Sequence, residues 1–179
     1  SDVAHIPDEE CIGALTSLDR DRWAEAREMI IEADERNLSL IQEIENALFV
    51  LCLEDSEPVS RDDIARIMLH GDARNRWYDK SIEFIVCKDG TAGINYEHSS
   101  IDDSSVVTLT GFIYDHVPVE AGTEEGCLSS RELNFTLSPE IREKISLACR
   151  DFDDLAGNTF VRVLDFRHFG KDRIKTFRL

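Results

Sequence analysis

The chain has 179 residues, 42% apolar and 32% charged, with 4 Pro and 9 Gly, enough apolar material for a core and a composition that excludes collagenous, low-complexity or disordered classes. Lys and Arg number 20 against 37 Asp and Glu, a net charge of −17, which opposes general binding to nucleic acid or to anionic membranes. No apolar run approaches the roughly 18 residues of a membrane span, and the first residues have neither a basic start nor an apolar stretch, so no transmembrane helix or secretory signal is expected.

The first helix is expected after the capping pair Thr16-Ser17, running through Asp19 to Ile31 with Trp23, Ala26 and Ile30 at helical spacing and acids in its first turn. A second follows around Leu40 to Ala47, with Ile41, Ile44 and Leu48 on one face. The run Leu48 to Leu53 suits a buried strand, and Arg61 to Leu69 a short helix. Between 81 and 98, Ile82, Phe84 and Val86 alternate with polar residues, Asp89-Gly90 signals a turn, and Ile94 and Tyr96 alternate on the return. With a two-residue turn, Ser81 faces His98, and Ile85, Ile94, Tyr96 and His98 share one face. Residues 104–117 read as a helix and 118–131 as a polar connector. Ser138-Pro139-Glu140 starts another helix, whose stripe is Ile141, Ile145, Ala148, Phe152 and Leu155 and whose stop is Gly157-Asn158. Thr159 to Phe166 reads as a strand, left by His168-Phe169-Gly170-Lys171. Helices and strands alternate without a strict period, so the class is α/β.

Five cysteines, Cys11, Cys52, Cys87, Cys127 and Cys149, are widely spaced, with no Cys-x-x-Cys pair. They suit neither a disulfide framework nor a zinc site, and the default setting is a reducing, intracellular compartment. The histidines likewise include no His-x-His or His-x-x-x-His pair, so no metal site is expected. Trp23 and Trp77 read as core.

His98 ends a strand and is followed four residues later by Asp102, a spacing suited to a general base whose imidazolium is stabilised by an acid. The same spacing recurs at His168 and Asp172, so it is not diagnostic. Arg76 precedes the hairpin and could orient an acid at the site; the alternative is an ion pair with Asp79 or Glu83. Residues 158–179 hold six basic and two acidic residues, reversing the sign of the chain. There, Lys171 and Lys175 are four apart and on one helical face could hold a phosphate, a solvated basic turn being the alternative.

Several segments resemble the carnitine/choline acyltransferase family. They are Leu15-Thr16-Ser17 with Asp21-Arg22-Trp23-Ala24-Glu25-Ala26-Arg27, Leu69-His70-Gly71, and Asn75-Arg76-Trp77-Tyr78-Asp79-Lys80-Ser81 with Asp89-Gly90. Tyr96-Glu97-His98-Ser99, Ser138-Pro139-Glu140-Ile141 and Phe169-Gly170-Lys171 with Lys175 complete the set, in order, from about residue 12 to the end. The resemblance implies a two-domain, chloramphenicol-acetyltransferase-like α/β fold with a mixed sheet and flanking helices. On that basis 1–118 would hold the catalytic histidine, 119–131 the connector, and 132–179 the start of the second domain.

It also implies acyl transfer between acyl-CoA and the hydroxyl of carnitine, with choline as the alternative alcohol. His98 is then the catalytic base, Asp102 the match to the family's acidic position four residues on, and Lys171 and Lys175 the pair on the 3′-phosphate of coenzyme A, while Arg76 is kept with the catalytic residues on its position before the hairpin. A mitochondrial, peroxisomal or cytoplasmic location is implied, with no nucleic-acid partner. The family's Ser-Thr-Ser segment, its carnitine-carboxylate groups and its amino-terminal portion are not in this sequence, so an internal fragment whose partner is the remainder of the enzyme is expected, inactive alone. The family has Gly, sometimes Ala, where this chain has Asp103, which leaves a catalytically silent CoA-binding or interaction module as an alternative of another class.

Overall fold

The computed structural model describes residues 6–99, 101–116 and 130–177. A 3-10 turn at Ile12–Ser17 leads into α1 (Arg20–Ala33) and α2 (Glu35–Asn46). Then come β1 (Val50–Glu54), α3 (Arg61–Leu69), β2 (Ile82–Cys87), β3 (Ala92–Tyr96) and α4 (Asp103–His116). Beyond the connector lie α5 (Pro139–Gly157) and α6 (Lys171–Thr176). The strands form one mixed sheet in the order β1-β2-β3, with β1 and β2 parallel and β2 and β3 antiparallel.

The α/β class and most helix positions agree with the sequence; the differences are local and physical. Helix α1 is capped by Asp19, whose carboxylate accepts from the Arg22 N–H at 3.0 Å, and not by Thr16-Ser17. Those two residues close the preceding 3-10 turn, where the Thr16 hydroxyl donates to Gly13 at 2.6 Å and accepts the Tyr78 N–H at 2.9 Å. Strand β1 is buried on one face only: Cys52 is inside, while Leu51 and Leu53 are exposed, and Leu48 lies beyond α2 in solvent.

The hairpin turns through three residues, Lys88 to Gly90, with Cys87 and Thr91 joined by a backbone bond of 2.8 Å. Gly90 adopts φ +85°, the left-handed residue that such a loop needs. The register is therefore one residue from that of a two-residue turn: Ile82 faces Tyr96, and Ser81 accepts from the Glu97 N–H rather than facing His98. A one-residue slip exchanges the two faces of a strand. Tyr96 and Ile94 thus lie with Ile82 and Phe84, and the opposite, buried face of β2 carries Glu83, Ile85 and Cys87.

Helix α5 is capped by Ser138 with Pro139 at its first turn, as its sequence requires. Ile141, Ile145, Ala148, Cys149 and Phe152 are buried in a core shared with Leu15, Trp23, Ala26, Ile30, Ile41 and Trp77; Leu155 lies outside it. Trp23 and Trp77 meet edge to face with centroids 5.7 Å apart. Asn37, fully buried, ties this core together: its amide donates to Ile30 O (2.7 Å) and Thr136 O (2.8 Å) and accepts the Thr136 N–H (3.0 Å). Buried Lys80 donates to the carbonyls of Ile44 and Glu45, closing the last turn of α2. Residues 159–166 form no strand: Phe160 and Leu164 are exposed, and the segment is tied to α3 by Asp62, which accepts the Val163 N–H at 2.8 Å. Except at Ser130 and Arg131, the 119–131 connector lies outside the described residues. Cys11, Cys52, Cys87 and Cys149 are buried free thiols.

Candidate functional site

His98 follows directly from β3, two residues after Tyr96, so alternation sends both side chains to one side. Their rings stand 5.9 Å apart at 35°. The chain then turns into α4, whose first residue, Asp103, comes back against them. Its Oδ1 lies 3.1 Å from His98 Nε2 and also accepts the Tyr96 hydroxyl. The His98 side chain is 65% exposed and open to approach. The Tyr96 and His98 bonds hold the Asp103 carboxyl below the usual carboxylate range, and the same carboxylate pushes the Tyr96 phenol up. A cleft of about 180 Å³ lined by Tyr78, Lys80, Glu83, Asn95, Tyr96 and Glu97 adjoins the strand end.

Asp102 does not reach His98 by any recorded bond. Its backbone carbonyl accepts from Ser105 and Val106, as an N-cap residue does, and its carboxylate takes the Ser104 hydroxyl at 2.9 Å. The carboxylate facing the histidine is one residue further on. His98, Asp102 and Asp103 can each bring one donor atom within 4.8 Å of the others, all three exposed.

Arg76 is not part of this group. Its side chain is fully buried, paired with Glu54, and donates to the carbonyls of Asn75 (2.8 Å) and Ile67 (3.0 Å). Glu54 pairs with Cys87, whereas Tyr96 pairs with Ile82 at the other end of β2, about 17 Å away at the usual strand rise. Burial and the β1 carboxylate recruit Arg76 as an internal strut, and neither Asp79 nor Glu83 is its partner. Gly71 makes room for it: φ is +54°, and a Cβ there would lie 2.1 Å from Arg76 Nη2.

Lys171 and Lys175 both lie on α6, one turn apart and exposed, about 6 Å apart along the axis. Glu83 is a buried carboxylate that the sequence hid between Ile82 and Phe84; it accepts the Trp77 N–H and faces the Cys52 thiol at 3.8 Å. Burial pushes its pKa up, and that of Cys52 to about 11. Among the described residues no helix is long and apolar enough to cross a membrane.

The sequence pattern of the family described as Choline/Carnitine o-acyltransferase matches residues 2–179. Human carnitine O-acetyltransferase is 32% identical over 183 residues, covering 95% of this chain and 29% of that protein. Mitochondrial carnitine O-palmitoyltransferase 2 of Mus musculus is 31% identical over 187 residues, covering 100% of this chain and 28% of that protein. The chain thus spans less than a third of the length of these relatives. With the family's pattern matching residues 2–179, the chain belongs to the choline/carnitine O-acyltransferase family.

Proposed function

We propose that this segment serves acyl transfer between acyl-CoA and the hydroxyl of carnitine, choline being the alternative alcohol, with His98 as general base. The observation that carries the reading is an exposed histidine, held at a strand end by an ionised acid, within a chain that matches the family over residues 2–179. His98 takes the hydroxyl proton, the oxygen attacks the thioester carbonyl, the C–S bond breaks, and the proton passes to the CoA sulfur. An acid beside the ring stabilises the imidazolium formed in the first step. One relative is named as mitochondrial, and a mitochondrial, peroxisomal or cytoplasmic setting is proposed for this chain.

Lys171 and Lys175 are proposed to grip the 3′-phosphate of CoA, which carries about two negative charges. Each charge-assisted contact is worth on the order of 1 kcal/mol. Replacing both lysines by Ala should weaken CoA binding about 30-fold while leaving 3′-dephospho-CoA nearly unaffected, as read by calorimetric titration. Equal weakening of both ligands would reduce the pair to diffuse charge.

A further inference from the structure

Residues 160–170 run from α5 to α6 without helix or strand, and most of their side chains are exposed. The hydrogen bonds and ion pairs that join 160–177 to the rest of the described chain all fall on two residues, Arg61 and Asp62 in the first turn of α3. The Asp62 carboxylate accepts the Val163 N–H at 2.8 Å through one oxygen and pairs with Arg162 at 3.0 Å through the other. Arg61 reaches Asp165 at 3.4 Å. Both ion pairs are largely exposed, with the Arg162 side chain at 75% and that of Arg61 at 66%, and such pairs contribute little on their own. The backbone contact differs in kind: it is a charge-assisted bond to an N–H that has no neighbouring strand to accept it. It is also the chief reason that the Asp62 carboxyl is held below the usual carboxylate range. Asp165 takes the Arg167 guanidinium as well, and Phe166 packs edge to face on Phe169 with centroids 4.9 Å apart. These local contacts carry the anchored chain to Gly170, where α6 begins.

We propose that Asp62 is a positioning residue for the pair Lys171 and Lys175, fixing against α3 the segment from which α6 grows. This rests on the reading in which those lysines hold the 3′-phosphate of CoA. Lys171 lies eight residues beyond Val163. Without the tether that span is held only by its own local contacts, and its backbone samples many placements of the two ammonium groups. A ligand that uses both lysines must then order the segment as it binds, which lowers its apparent affinity. Asp62 orders the start of the span before the ligand arrives. A ligand that lacks the 3′-phosphate makes no use of the lysines and gains nothing from the tether.

The tether is tested on the chain itself by hydrogen exchange. The Val163 amide should be protected in the parent and should open in Asp62→Ala, while the amides of α5 keep their protection. An unprotected Val163 amide in the parent overturns the proposal. CoA and 3′-dephospho-CoA are then titrated calorimetrically into a full-length acyltransferase carrying this segment, as parent, Asp62→Ala and Asp62→Asn. Asp62→Ala should weaken CoA about 5-fold or more, the scale of ordering a few side chains on binding, and leave 3′-dephospho-CoA unchanged. Asp62→Asn keeps an oxygen for the Val163 N–H and should recover most of the loss. Taking a negative charge from an acidic chain strengthens anion binding through the field alone, so a loss in the Ala variant that the Asn variant repairs cannot come from charge. CoA affinity in Asp62→Ala at or above the parent value, or equal weakening of both ligands, overturns the positioning role. Replacing Lys171 and Lys175 together by Ala separates the two layers: if that variant binds CoA as the parent does, the lysine reading fails, while exchange at Val163 still judges the tether.

Discussion

The Arg76 strut gives the sharpest quantitative expectation. Its side chain is 0% exposed and its partner Glu54 15% exposed, so the pair sits out of water at the junction of β1, α3 and the Gly71 turn. Removing one member of a buried pair strands the other charge and typically costs about 3–5 kcal/mol. Arg76→Ala should lose that much, and with a urea m-value of about 2 kcal/mol/M the unfolding midpoint should drop by roughly 1.5–2.5 M. Gly71→Ala tests the same contact from the other side. The new Cβ would collide with the guanidinium at 2.1 Å, and the left-handed backbone adds about 1–2 kcal/mol. Arg76→Lys keeps the charge but loses the fork that reaches Glu54 and two carbonyls together, and should fall between. Urea melts followed by circular dichroism measure all three. If Arg76→Ala costs less than about 1 kcal/mol, the strut reading is wrong and Arg76 becomes available again for a role at the site.

Two further outcomes are expected from the buried polar groups. Asn37→Ala leaves the Ile30 and Thr136 carbonyls and the Thr136 N–H unmatched and should cost about 3 kcal/mol; hydrogen exchange at the Thr136 amide should accelerate, and a protected amide with an unchanged midpoint would refute the tether. Burial raises the Glu83 pKa in the folded state, so as pH climbs from the ordinary glutamate range the unfolded carboxyl ionises first and folding stability falls until the folded one follows. Glu83→Gln should therefore gain on the parent in melts at pH 7 relative to pH 4, and an identical difference at both pH values would show that Glu83 contributes no such linkage.

Much of the fold was legible because its signals are local. Ser138 caps α5 and Pro139 opens it, both visible as residue types at a helix start, whereas Ser60, which caps α3, is not singled out by the sequence. What the sequence concealed depends on partners. Residues 159–166 have the composition of a strand, but a strand exists only when another edge accepts its N–H and C=O groups; here the Val163 N–H goes to the Asp62 carboxylate instead. Likewise Leu51 and Leu53 look like core, yet their face of β1 is open, and composition alone cannot say which face of an apolar strand is covered.

The site was half legible for a related reason. His98 could be placed at a strand end because hairpin alternation reaches almost to it, and Lys171 with Lys175 because i and i+4 fall together on any helical turn. The acid could not be fixed by counting. His98 lies two residues past the end of β3, and Asp102 immediately before the first residue of α4. Helical spacing therefore has no force across the gap, and the choice between Asp102 and Asp103 is made by which of them the new helix needs at its start. Asp102 closes that turn with its carbonyl and takes the Ser104 hydroxyl, so Asp103 is the one whose carboxylate is turned towards Tyr96 and His98. Tyr96 carries the one sequence signal that survives: it lies two residues before His98 on a strand, the period that puts side chains on the same face.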